Sequence, residues 1–107
     1  MARGCVQVVM ALHRAAAVGD VAIFESLVKQ GADEDAVNRN SRTPLHDAAS
    51  NGQVEAVKLL VTLGADKQAG DAVGVTPVHL AALKGHVEAM KALVALGADK
   101  EAKGVDY

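Results

Sequence analysis

Two heptapeptides decide how this chain folds: Thr43-Pro44-Leu45-His46-Asp47-Ala48-Ala49 and Thr76-Pro77-Val78-His79-Leu80-Ala81-Ala82. In each, the threonine hydroxyl can accept from an orphan helix amide, and proline at the first helical position has no amide to leave unsatisfied. Histidine then falls at the third helical position. From there its imidazole can reach back to the threonine hydroxyl or backbone, a variant of the reciprocal capping box. The pattern predicts a first helix over about 44–51, a left-handed stop at Gly52, and a second helix that opens at Val54 and ends before Gly64. On that second helix Val54, Val57, Leu60 and Val61 form one apolar stripe, while Ala56, Leu59 and Leu63 form another. Two stripes need two neighbours, the partner helix and the next unit. Glu55 and Lys58 are left for solvent, one turn apart.

Outward from these segments the whole chain repeats at an interval of 33 residues. His13, His46 and His79 align, as do Gly19, Gly52 and Gly85, and the Gly-Ala-Asp triplets that begin at Gly31, Gly64 and Gly97. The alanine pairs Ala15-Ala16, Ala48-Ala49 and Ala81-Ala82 keep the same register, and Leu27-Val28, Leu60-Val61 and Leu93-Val94 share it. The units occupy about 5–37, 38–70 and 71–103, with 104–107 left as the start of a truncated further unit or a tail. In the third, Val87, Met90, Leu93 and Val94 are expected on the inner stripe of the second helix.

The two heptapeptides, with this interval and the three closing triplets, resemble the Thr-Pro-Leu-His signature of the ankyrin repeat family, over nearly the entire chain. The resemblance implies an all-α ankyrin-repeat solenoid: stacked helix-turn-helix pairs in one domain over residues 1–107, with hairpin-like loops projecting as fingers. It also implies a protein-protein interaction module that binds a partner protein through its concave face and fingers. Matched to the family's variable positions, the candidate contacts are Arg39, Asn40, Arg42, Ser50 and Asn51 in the second unit, and Ala72, Val73, Val75, Leu83 and Lys84 in the third. The former offer guanidinium and amide groups, the latter mainly apolar side chains, so a mixed acidic and hydrophobic partner surface is expected.

The pattern is broken in three places. Met10 and Ala11 stand where the first unit should have Thr-Pro, so its first helix starts uncapped, and Cys5 to Val9, without turn residues, is expected to be extended or disordered. Arg14, at the place of Leu80, resembles the polar substitution of an N-terminal capping repeat, although Asp47 shows a charge there in the middle unit too. In the second unit Asn38 and Ser41 replace the Asp and Gly found at Asp71 and Gly74, so the first finger is expected to adopt a different turn. At the other end Ala89, Ala92, Leu93 and Leu96 keep an internal repeat's apolar pattern. That favours two alternatives to free recognition: a structural segment of a longer ankyrin array, or weak self-association through an uncapped last repeat in place of a monomer.

Composition limits the rest. Half of the 107 residues are hydrophobic, with Phe24 and Tyr107 the only aromatic side chains, so a thin core between closely approaching helices is expected. A formal net charge of −2 disfavours nucleic acid and anionic membranes as partners. No apolar run approaches the ~18 residues that span a bilayer. The first residues faintly resemble an export signal, but Gln7 interrupts the apolar segment and His13 and Arg14 close it early. Cys5, the single cysteine, excludes an intrachain disulfide, and a cytoplasmic or nuclear location is expected. The histidines, one per unit, sit on helices ~8 to 10 Å apart, too far to share a zinc ion. They are read as capping groups, His86 at a helix start as structural too. No nucleophile elbow, P-loop or metal-spaced Cys and His set is present, so neither a cofactor nor a catalytic site is expected. Asp33, Asp66 and Asp99 recur with the interval and are read as loop hydrogen-bonding groups.

Overall fold

In the computed structural model, which describes residues 2–97 and side chains from residue 7 onward, the chain forms three pairs of antiparallel helices. The pairs are α1 (Ala2–Val18) with α2 (Val21–Lys29), α3 (Pro44–Ser50) with α4 (Val54–Thr62), and α5 (Pro77–Leu83) with α6 (Val87–Ala95). No strand occurs among the described residues. The first helices α1, α3 and α5 pack side by side in one layer and α2, α4 and α6 in a second, along a body of 41 × 25 × 20 Å.

Local chemistry explains the middle pair. Thr43 caps α3: its hydroxyl accepts from the His46 amide, and its own amide donates to His46 Nδ1 at 3.0 Å. Gly52, at φ +70°, reverses the chain before α4; a Cβ there would also lie 2.7 Å from His86 Nδ1, so the position needs glycine for conformation and for room. Lys58 reaches Glu55 at 3.9 Å in solvent. At Thr76 the hydroxyl lies 3.0 Å from His79 Nδ1 but accepts no helix amide, so this cap is weaker than the one at Thr43.

The core is a single ribbon of small and branched side chains running through all three pairs, from Leu12, Ala15 and Ala16 through Leu45, Val57 and Leu60 to Val78 and Leu93, with Phe24 at one end. Burial of this ribbon is the main driving force for stacking. The last pair departs from expectation. Leu93 is buried and Met90 half-buried, but Val87 and Val94 are exposed. Val61, the equivalent of Val94, packs against the core because a further pair adjoins it; nothing among the described residues does so for Val94.

The first pair also departs from expectation. Cys5 to Val9 is neither extended nor disordered, because α1 runs unbroken from Ala2. No proline stands at Ala11 to end the helix, so each added residue extends it by one hydrogen bond at little further cost, and Val8 gains packing against the core. The Cys5 side chain, Ala98, Asp99 and the stretch 100–107, including the expected further unit or tail, lie outside the described residues.

Candidate functional site

Two hairpin fingers project between the helix pairs, and both make the same turn. In the second, Asp71 Oδ1 accepts from the Val73 and Val75 amides at 2.9 and 3.0 Å, Asp71 N–H donates to Val75 O at 2.9 Å, and Gly74 takes φ +89°. In the first, Asn38 Oδ1 accepts from the Asn40 and Arg42 amides at 2.9 and 3.1 Å, Asn38 N–H donates to Arg42 O at 3.0 Å, and Ser41 takes φ +58°. The expected difference in turn is therefore absent. An asparagine oxygen accepts the same two amides as a carboxylate, and serine is held in the left-handed region by that ring of bonds.

The fingers are fastened to each other and to the stack. Ala72 N–H donates to Asn40 O at 2.9 Å, and Arg42 Nε lies 3.2 Å from Asp71 Oδ2. Burial alone would raise the Asp71 carboxyl, but the Val75 and Val73 amides and the Arg42 guanidinium overcome it and hold the group below its ordinary range. Each finger is also gripped by the histidine of the preceding pair: His46 Nε2 lies 2.7 Å from Val75 O, and His13 Nε2 lies 2.7 Å from Arg42 O. Burial lowers His46 most, and its bond to Val75 O only partly opposes that. Burial likewise raises Asp47, which faces His13 and Arg42.

The candidate contact residues divide by environment. Arg39, Asn40, Ala72, Val73, Leu83 and Lys84 are exposed, Val73 at 73% and Leu83 at 59%. Ser50 and Asn51 end α3, where Asn51 Nδ2 donates to Asp47 O at 2.9 Å. Arg42 is half-buried against Asp71, and Val75 is half-buried with both backbone groups engaged. Their positions are those of finger-fixing residues. Two of the three loop aspartates act as read, the third lying outside the described residues: Asp33 Oδ1 accepts from Asp35 N–H at 2.9 Å and Asp66 Oδ1 from Gln68 N–H at 3.0 Å. Sequence reasoning missed the cross-finger pair of Arg42 and Asp71, although their spacing of 29 residues equals that of His46 and Val75. It also missed a groove of about 820 Å³ between α1 and the first finger, whose lining includes Met10 and Val37. The exposed apolar Met10 in place of a capping threonine was the available signal.

Among the described residues no three His, Cys, Asp or Glu side chains gather as metal ligands, and no helix is long and apolar enough to cross a membrane. A linear stack of helix pairs that presents a row of pinned fingers is a repeat solenoid. The family model for ankyrin repeats in three copies matches residues 12–104, and the chain belongs to the ankyrin repeat family. Its members are generally protein-protein interaction modules and typically not enzymes. No curated protein matches the sequence.

Proposed function

We propose that this chain docks a partner protein on the surface formed by its finger tips and first helices, with Arg39, Asn40, Ala72, Val73, Leu83 and Lys84 in contact and Ser50 and Asn51 beside them. One observation carries the reading. Val73 stands 73% exposed at the tip of a finger whose turn is closed by Asp71 and gripped by His46. An apolar side chain held in water on a rigid support loses little conformational entropy when a partner covers it. The modest negative charge supports a protein partner over nucleic acid or an anionic membrane. Affinity capture from cell extract, comparing the chain with Val73→Asp and Arg39→Glu variants, tests it: partner recovery should fall at least tenfold while helicity by circular dichroism is unchanged. Undiminished recovery with both variants sinks the assignment.

A second reading, docking through the last pair, is favoured by a different observation. Ala16 and Ala49 are buried at 1% and 0%, yet their equivalent Ala82 is exposed, as are Val94 and Leu96. This end supports stacking against a further repeat or a second copy. Light scattering that stays monomeric to millimolar concentration excludes the second copy.

A further inference from the structure

The bond between the two fingers has no counterpart one unit earlier. Ala72 N–H donates to Asn40 O at 2.9 Å. By the interval of the sequence, Arg39 holds the place of Ala72, and Gln7 holds the place of Asn40. Gln7 lies inside α1, where a carbonyl accepts from the amide four residues on and points along the helix axis. Among the described residues the Arg39 amide therefore meets no acceptor, while its neighbours Asn40 and Arg42 donate to Asn38 Oδ1. The first finger, through Val37, Asn38, Arg39 and Asn40, borders a groove of about 820 Å³ whose other side is Val9, Met10 and His13 of α1.

The groove has an apolar floor and a cationic rim. Met10 is 66% exposed and Val37 53% exposed, a pair of apolar side chains that the stack leaves in solvent. Arg39 is exposed and, unlike Arg42, forms no ion pair among the described residues. The lining includes no carboxylate. The family pattern begins at residue 12, so the helical extension that forms one wall precedes it.

We propose that this groove binds an extended acidic segment of a partner protein, which fills the place of a missing preceding finger. One backbone carbonyl of the segment accepts from Arg39 N–H, as Asn40 O accepts from Ala72 N–H. An alternate apolar side chain lies on Val9, Met10 and Val37, and a flanking carboxylate meets the Arg39 guanidinium. An extended chain is required because its carbonyls point sideways, whereas those of a helix are consumed along its axis. The molecule itself shows the arrangement one unit later, between its own two fingers. The proposal rests on the reading of this chain as a partner-binding module and gives that module a second contact surface at its N-terminal end.

The test is a nuclear magnetic resonance titration of the full chain, with amide and methyl signals monitored, against two end-blocked hexapeptides: alternating leucine and glutamate, and alternating leucine and lysine. The glutamate peptide should move the Arg39 amide and the Met10 and Val37 methyl signals together and saturably, and the lysine peptide should bind at least tenfold more weakly. Arg39→Glu should reverse that preference, and Val37→Asp should weaken the glutamate peptide at least tenfold with the spectrum of the folded stack retained. Shifts confined to Val73 and Leu83 would overturn the groove while leaving the finger-tip reading intact. An Arg39 shift that depends on protein concentration without peptide would make a second copy the occupant and overturn the proposal. No saturable shift with either peptide would mean that the groove holds only solvent, a result that the capture experiment with Val73→Asp distinguishes from failure of the recognition reading itself.

Discussion

His13 and His46 occupy equivalent places in the first and second helix pairs, and each reaches 29 residues along the chain to a finger carbonyl at 2.7 Å. They differ at the other nitrogen. His46 Nδ1 faces the Thr43 amide and hydroxyl, both at 3.0 Å, so a neutral ring with its proton on Nε2 satisfies every neighbour. His13 Nδ1 faces Val9 O at 2.8 Å. Both of its ring nitrogens therefore face carbonyl oxygens, whereas His46 turns one nitrogen toward donors. One substitution of the capping threonine, by Met10, thus changes the helix start, the histidine's partners and the shape of the adjoining surface together.

The contrast between pairs is tested hardest in the middle one, which has a neighbour on each side. Leu60→Ala removes a side chain 1% exposed and should cost about 2 to 5 kcal/mol. Val94→Ala, at the open end, should cost under about 1 kcal/mol because its site is already wetted. Urea titration measures both, and equal costs would mean that the stack does not close around its centre. Next, Met10→Thr with Ala11→Pro gives the first pair the start of the second. Proline should end α1 at residue 11, at about 3 kcal/mol against the upstream helix, with a matching loss of ellipticity and a new Thr-His cap visible in the amide spectrum. Conversely, Thr43→Ala removes the cap from the middle pair and should cost about 1 kcal/mol, whereas Met10→Ala should leave the urea midpoint unmoved.

Acidity separates the pairs further. Since His46 titrates below its ordinary value when folded, the unfolded chain takes up its proton first, and stability falls as pH drops from about 6.5 through the folded value. Asp47 titrates above its ordinary value, so its ionisation weakens the fold as pH rises through and above about 3.8, the opposite direction. An Asp47→Asn background isolates His46, and there the urea midpoint should be lower at pH 5 than at pH 7. The smallest change concerns the fingers. Ser41→Gly relieves a serine at φ +58° and should stabilise by about 0.5 to 1 kcal/mol, making the first finger as relaxed as the second.

Much of this was legible in the sequence, because capping and periodicity act within a few residues. Thr43, Pro44 and His46 announced α3 and its box, and the Gly-Ala-Asp triplets marked where each pair closes. The features that escaped depend on residues nearly a whole unit apart, or on how the backbone behaves where a stop signal is missing. Asn38 read as a departure from Asp71, yet the turn needs only one oxygen at that position. Cys5 to Val9 read as irregular because turn residues were absent, whereas a helix continues until something ends it. Val94 fits the apolar stripe as well as Val61 does, but its burial is decided by the presence of a neighbour, to which periodicity within one unit is blind. Among the candidate contacts, Arg39 and Arg42 look interchangeable as letters. Only the fold pairs Arg42 with Asp71.

The grip of each histidine on the finger after it also gives the molecule a direction. His13 fastens the first finger and His46 the second, always from the amino-terminal side. Shortening the protein from its beginning would unhook a hairpin that the shortened chain still contains, while trimming from its end through the second finger would remove the contacts of Asn40 and Arg42 but leave the first finger held by His13. The array works like overlapping roof tiles, each pinned by the one before, so during synthesis on the ribosome every hairpin emerges after the residue that will pin it.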